Sequence, residues 1–432
     1  MASSTAVASS AGCVRNWKAP VARASGTPHH AALARVQSRG RELLIGGETV
    51  GALLARAGRT PFYAYDRQAI AMRVAELRHM MPAGMHLHYA LKANPMPALV
   101  AWMAGLVDGF DVASGRELSV ALATGMAAEC ISFAGPGKSV MELEAAVAAG
   151  ITVHVESERE LAILHQLGVQ GRRPRLAIRV NPDFQLKSAG MKMGGGASQF
   201  GIDAERVPAL LHGLDVSRVD FRGFHIFAGS QNLSAAAIAE AQVETLALAE
   251  RLAVDAPVPI AELNIGGGLG IPYFPGEQPV DLAAVGASLH RLAERARASL
   301  PGTRLVTELG RYLVGEAGYY ICRILDRKES RGRVFLVTDG GLHHHLAASG
   351  NFGQVIRKNY PVVIATRMDQ ATEEMASVVG PLCTPLDLLA DNMAFPRAVP
   401  GDLVAVLQSG AYGYTASPLG FLSHPEPMEL LV

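Results

Sequence analysis

Cysteine is scarce: Cys13, Cys130, Cys322 and Cys383 are the only four in 432 residues, and no two form a CxxC pair. That excludes a disulfide framework and fits free thiols in a reducing, cytoplasmic compartment. Excess charge is also missing. Lys plus Arg and Asp plus Glu stand at 39 each, so no bulk field favours nucleic acid or an anionic membrane surface. No uninterrupted apolar run is long enough to cross a bilayer. Acidic residues are absent before Glu42, in a stretch rich in Ala and Ser with several Arg. Residues 1–40 are expected to be an unstructured extension, although a transit-like peptide has the same composition.

What is present is 49% hydrophobic, enough for a large core and for two domains. From Phe62 onward, short β-rich runs alternate with Ala/Leu-rich helical stretches, the signature of parallel β/α architecture. The runs are HLHYALK, GFDVAS, ISFAG, TVHVES, RLAIRV, FRGFHIFAG, ELNIGGG and RLVTELG. Eight of them predict a closed (β/α)8 barrel over 62–312. From about Tyr319 the pattern turns to β-runs punctuated by Pro and Gly, which predicts a second, mostly antiparallel domain over 313–432. The segment 41–61, with ELLIGGETV, is expected to add strands to it.

Barrel enzymes carry their chemistry at the C-terminal strand ends. Here those ends hold Lys92, then Asp111 and Ser114, Glu156, Arg179 and Asn181, His225 and Ser230, Gly266-Gly267-Gly268, and Glu308 with Arg311. Lys92 sits in the middle of an apolar run, HYALKANP. Burying an unpaired ammonium costs several kcal/mol, so its amine either pairs with a phosphorylated substrate or forms a Schiff base with pyridoxal phosphate. The second option needs a phosphate cradle, a carboxylate on the pyridine nitrogen and a group stacked on the ring. NIGGGLGIPY offers backbone N–H groups, Ser230 and Arg311 add donors, and Glu308 supplies the carboxylate. A protonated pyridine nitrogen makes the ring an electron sink, which suits decarboxylation.

Eight segments, HYALKANP, GFDVAS, IRVNP, FHIFAGSQ, GGGLGIPY, ELGR, VVGPLC and SGAYGY, occur in an order that resembles the fold-type III pyridoxal-phosphate decarboxylases. That group includes diaminopimelate, ornithine and arginine decarboxylases, with an alanine-racemase-like barrel followed by a β domain. ISFAGPGKS, GFHIFAGSQNL and DGGLHHHLAASGNFGQVIRKNYPV look like the exosortase A system-associated subgroup, encoded in exopolysaccharide loci. The resemblance implies that Lys92 is the Schiff-base lysine and Glu308 the pyridine-nitrogen partner, with Asp111 and Arg179 supporting the cofactor. It assigns phosphate contacts to Ser230, Gly266, Gly267, Gly268, Arg311 and Tyr412, and includes Gly310 of ELGR among the cofactor-binding residues. Cys383 matches a cysteine that reaches in from the partner chain and reprotonates Cα, which implies a homodimer with shared active sites. Asp339, Thr384 and Tyr273 are candidates for substrate contact.

Two departures from that family stand out. Relatives with HIGS or HVGS stack a histidine on the ring, whereas FAGS places Phe227 there, with His225 two residues earlier on the same strand face. His225 is either a substrate or proton-relay group or a core histidine. Relatives also follow the cysteine with an acid that binds a distal ammonium, and here Thr384-Pro385 follows. A hydroxyl cannot replace a carboxylate in a charge-assisted bond. The expected activity is therefore decarboxylation of an L- or D-amino acid or aminoacyl substrate whose far end is neutral or tethered to a carrier protein. Free meso-diaminopimelate is the alternative, and a non-catalytic regulator a more distant one. LHHH (His343–His345), read as a strand with alternating faces, does not predict a metal site. GMKMGGGASQFGI is either a loop over the barrel mouth or an ordinary surface excursion.

Overall fold

A computed structural model describes residues 29–184, 191–192, 194–354 and 356–432. The eight sequence runs become strands His86–Ala90, Gly109–Val112, Ile131–Phe133, Thr152–Val155, Arg175–Asn181, Asp220–Ile226, Glu262–Asn264 and Arg304–Leu309. Each pairs in parallel with its neighbour. Thr152–Val155 on Arg175–Asn181 and Arg304–Leu309 on His86–Ala90 complete the ring. Alternation along the strands sorts the side chains. Leu87, Tyr89, Phe110, Val153, Ile178, Phe224 and Leu263 belong to the apolar core, while the alternate residues His88, Asp111, His154, Arg179, His225, Asn264 and Glu308 are buried polar groups of the barrel lumen.

Helices start sharply after the strands because a short polar side chain satisfies their first free N–H groups. Ser114, Ser139, Ser157, Ser234 and Asp281 each accept from the backbone N–H three residues on. Ser114, which the sequence placed among the rim polar residues, is thus a helix cap.

The second domain is built around the long strand Gly318–Ser330, which pairs antiparallel with Arg333–Thr338, Leu403–Val406 and Phe62–Tyr65. Two parallel pairs interrupt the antiparallel pattern: Arg333–Thr338 with Glu374–Val379, and Met428–Leu431 with Phe62–Tyr65. Three expectations need correction. Phe62–Tyr65, expected to open the barrel, is buried along its whole length inside this sheet. The strands of 41–61 do not join that sheet. They form a separate three-stranded sheet with Gln37–Arg39, followed by helix Val50–Ala57. Leu43 and Ile45 pack this sheet onto Phe62, Ile321 and Leu403, and Leu43 N–H donates to the Ala365 carbonyl at 2.8 Å. Residues 29–40, expected to be unstructured, contribute that strand and a 3-10 turn at Ala31–Arg35. Residues 1–28 of the expected extension lie outside the described residues, as do Gly190 and Met193 of the Gly-rich run.

His343–His345 lie in a turn rather than a strand, because the N–H groups of both His344 and His345 donate to the Gly341 carbonyl at 3.0 Å. His344 meets Tyr320 and the Pro425 carbonyl, and His345 meets Ser409. Both ring nitrogens of His343 are buried without a partner among the described residues. Burial, helped by His344 and His424, pushes His343 down to about 3; burial takes His344 to about 4 and His345 to about 3. The unfolded chain therefore binds these protons first. Their stability is complete above about pH 6.5 and falls as the pH drops toward the folded values, by up to ~1.4 kcal/mol per unit for each histidine. Urea unfolding is expected to show this decline between pH 7 and 5. His343→Leu should reduce the slope by about 1 kcal/mol per pH unit, and an unaltered slope would refute the assignment.

Candidate active site

Lys92 occupies a 3-10 turn, Leu91–Ala93, directly after the first barrel strand. Two contacts hold that turn against the second domain: Tyr412 N–H donates to the Ala93 carbonyl at 2.9 Å, and Asn94 Nδ2 donates to the Gly410 carbonyl at 3.1 Å. SGAYGY and KANP, far apart in sequence, are thereby one surface.

The Lys92 ammonium, its side chain 41% exposed, donates to Glu308 Oε1 at 3.1 Å. The Glu308 side chain is 3% exposed. Its other oxygen lies 3.1 Å from His225 Nε2, and the His154 ring packs against His225 with centroids 4.4 Å apart and a tilt of 36°. Burial alone raises a carboxyl pKa, but Lys92 first and His225 second hold Glu308 well below its usual range. Burial pulls the Lys92 amine down, and Glu308 together with Tyr412 more than offsets this, so that its pKa is raised. The Lys92 ammonium also lies 5.2 Å from the centre of the Phe227 ring.

Asp111 receives the Ser132 hydroxyl and lies 3.5 Å from His88 Nδ1. Arg179 donates to Glu156 Oε1 at 2.8 Å and stacks over Phe200. Glu156 also accepts from Gly201 N–H at 3.0 Å, which ties down the end of the Gly-rich run. The 266–268 loop runs so close to its neighbours that only glycine fits. A Cβ on Gly266 would come 2.8 Å from the Phe227 ring, and one on Gly267 would collide with the Glu308 carbonyl. Gly266 and Gly268 also hold positive φ. Gly310 is likewise constrained, since a Cβ would reach Ala93 at 2.8 Å.

Arg311 follows, donating to the Tyr273 hydroxyl at 3.1 Å and lying over the Tyr412 ring at 4.7 Å. Its Nε is buried and has no partner among the described residues. Ser230, half-buried, pairs through its strand with Met191–Lys192. An unsatisfied guanidinium nitrogen beside a glycine loop and a hydroxyl is a donor set suited to a phosphate dianion.

Two sequence candidates are tied up within the second domain, and a third, Tyr273, stands at Arg311. The Asp339 carboxylate accepts from the Thr60 hydroxyl and from Arg323 N–H, and is an internal tie of the second domain. Thr384 Oγ1 accepts from Leu386 N–H at 3.3 Å within its own turn. Tyr273 is buried between Arg311 and Tyr360. Cys383 is exposed. Among the described residues no three His, Cys, Asp or Glu side chains converge as a metal set. The sequence reading passed over His154 as a site residue and Asp387, whose carboxylate receives Leu342 N–H at 2.6 Å and Leu382 N–H at 2.8 Å and so anchors the Cys383 loop. Only the two-residue spacing of His154 and Glu156 signalled that they share a face.

Residues 67–315 match the family model described as "Pyridoxal-dependent decarboxylase, pyridoxal binding domain". The chain belongs to this family. It is 38% identical over 385 residues to the L-glutamyl-[BtrI acyl-carrier protein] decarboxylase of Niallia circulans, covering 88% of this chain and 90% of that one. It is 33% identical over 404 residues to the diaminopimelate decarboxylase of Aquifex aeolicus, covering 92% of each. Diaminopimelate decarboxylase from Helicobacter pylori, solved with L-lysine, superimposes with a TM-score of 0.77 at 26% identity, over 88% of this chain and 94% of that one. The enzyme is thus a carboxy-lyase that uses pyridoxal 5'-phosphate, on an alanine-racemase-like barrel with a β domain.

The glycine cradle generates a prediction. Gly267→Ala should weaken binding of pyridoxal phosphate to the apoprotein by about tenfold or more, because its methyl group displaces the loop from Glu308. Titration of apoprotein with the cofactor measures this. Wild-type affinity in a variant of unchanged thermal stability would remove the cradle from the site.

Proposed function

We propose that the chain decarboxylates an aminoacyl substrate with a neutral or tethered distal end, such as an amino acid on a carrier protein, in a cytoplasmic homodimer with shared active sites. The observation that carries this reading is the Glu308 carboxylate held between Lys92 and His225 at the barrel rim, beside the glycine loop and the unsatisfied Arg311.

Pyridoxal phosphate, when bound, supplies an aldehyde for amines and an electron sink for the pair left when CO2 departs. Lys92 is the attachment amine. Glu308, backed by His225, keeps a proton on the pyridine nitrogen, while Asp111 and Arg179 brace the rim. The N–H groups of Gly266–Gly268, with Ser230, Gly310, Arg311 and Tyr412, receive the phosphate. Phe227, beside the Lys92 ammonium, would offer the cofactor ring apolar contact without charge. The Cys383 thiol, exposed in its own chain, donates a proton to Cα from the second copy.

Substrate preference rests on what faces a distal ammonium. Thr384 carries no charge and spends its oxygen on its own turn, and Asp339 is tied to Thr60 and Arg323. Neither offers a free carboxylate. The Niallia circulans relative acts, by its name, on a glutamyl group of an acyl-carrier protein, and this supports the tethered reading over free diaminopimelate. A place in an exopolysaccharide or exosortase-associated pathway follows from the subgroup resemblance, and the neighbouring genes test it.

Carboxyl-labelled substrates decide the specificity. CO2 release is expected from carrier-bound aminoacyl groups, and rapid turnover of free diaminopimelate at micromolar KM would reverse the assignment. Lys92→Ala should abolish cofactor fixation by borohydride, and Cys383→Ala should lower kcat while cofactor affinity stays at the wild-type value. Mixing the two variants should restore about a quarter of wild-type activity, since about half of randomly assorted dimers are mixed and each mixed dimer has one intact site. No recovery in verified mixed dimers would refute shared sites.

A further inference from the structure

Lys138 and Glu160 form an ion pair in which each side chain is 1% exposed, and neither residue has a part in the chemistry above. Lys138 belongs to the AGPGKS loop after the third barrel strand, and Glu160 lies in the first turn of helix Glu158–Val169. The ammonium uses all three of its hydrogens. It donates to Glu160 Oε2 at 3.0 Å, to the Gly135 carbonyl at 2.8 Å and to the His154 carbonyl at 2.8 Å. Glu160 in turn accepts from Glu156 N–H at 2.9 Å and from Lys138 N–H at 3.3 Å. The pair thus grips the end of strand Thr152–Val155 at two points, the carbonyl of residue 154 and the amide of residue 156.

The side chains of those same two residues meet the cofactor ligands. His154 packs against His225, which contacts Glu308. Glu156 receives Arg179, and its Oε1 also receives the N–H of Gly135, the residue whose carbonyl Lys138 holds. A strand end that shifted would move both supports together.

Stability is a poor reason for such a pair. Desolvating two charges is costly, and buried ion pairs can often be replaced by apolar residues of similar volume without loss. We propose that the Lys138–Glu160 pair is a positioning device for the cofactor site, holding His154 and Glu156 so that Glu308 and Arg179 keep their orientation. The inference rests on the reading of Lys92, Glu308 and Arg179 as cofactor ligands.

The decisive variant is the double substitution Lys138→Met with Glu160→Leu, which removes both charges and leaves neither uncompensated. It also removes the partners of the Gly135 and His154 carbonyls and of Glu156 N–H, so its melting temperature should fall. Its apoprotein should bind pyridoxal phosphate about tenfold more weakly than the loss of stability alone produces, the scale on which lost supporting contacts act. Leu164→Ala, a core change on the same helix, serves as the control for general loosening. Wild-type cofactor affinity in the double variant overturns the proposal, and so does an equal loss of affinity in the Leu164→Ala control. If the double variant does not fold, Glu160→Gln, which keeps the volume and loses one acceptor, decides by the same comparison. Borohydride fixation of the cofactor on wild-type Lys92 separates the two failures. If it is absent, the site reading fails; if it is present with unchanged variant affinity, only the positioning role fails.

Discussion

The structure depends on one buried carboxylate. Glu308 is almost fully enclosed, and burial alone would favour its neutral form. Lys92 on one oxygen and His225 at the other reverse that preference. Three strand ends, from the first, sixth and eighth positions of the barrel, are committed to this one charge. Two further lumen pairs follow the same pattern, Arg179 against Glu156 and Asp111 against Ser132 and His88, whereas both ring nitrogens of His154 are buried without a partner among the described residues. A barrel interior filled with polar side chains is tolerable only because most of them are paired.

The second domain completes the site as well as covering it. Residues Ala32 to Ile45 pack beside this domain, and the chain then enters its sheet at Phe62–Tyr65, runs through the barrel and returns at Gly318. Because of that path, the Tyr412 and Gly410 backbone reaches the turn that carries Lys92, and Arg311 is enclosed by Tyr273 and Tyr412. The Cys383 loop is braced in a different way, by Asp387, with Gly341 and Gly380 leaving room for its carboxylate. Barrel and β domain therefore meet at the turn that carries Lys92.

Much of this was legible in the chain. Alternating runs located all eight barrel strands, and polar residues at their ends located Lys92, Asp111, Arg179, His225, Glu308 and Arg311, because a strand end exposes its next side chains to the rim. Other readings failed for identifiable reasons. Phe62–Tyr65 is apolar on both faces, as a central strand of either domain would be, so its pattern cannot say which sheet it joins. The partner of Asp339, a hydroxyl 279 residues away in sequence, leaves no trace in its local pattern. The histidine run was misread as a strand because Gly340-Gly341 turns the chain just before it.

By itself the sequence determined the barrel, the order of its elements and the chemical character of its rim, because hydrophobic period, capping residues and turn glycines are local properties. It also determined that a lysine, a carboxylate and a glycine loop were available for a phosphate-bearing aldehyde. Only the tertiary structure decided which groups touch: that Glu308 bridges Lys92 and His225, that His154 stands behind them, and that Lys138 reaches across to grip the neighbouring strand end. Such pairings join residues tens to hundreds of positions apart. They arise from how the closed ring brings strand ends together, which no local pattern records.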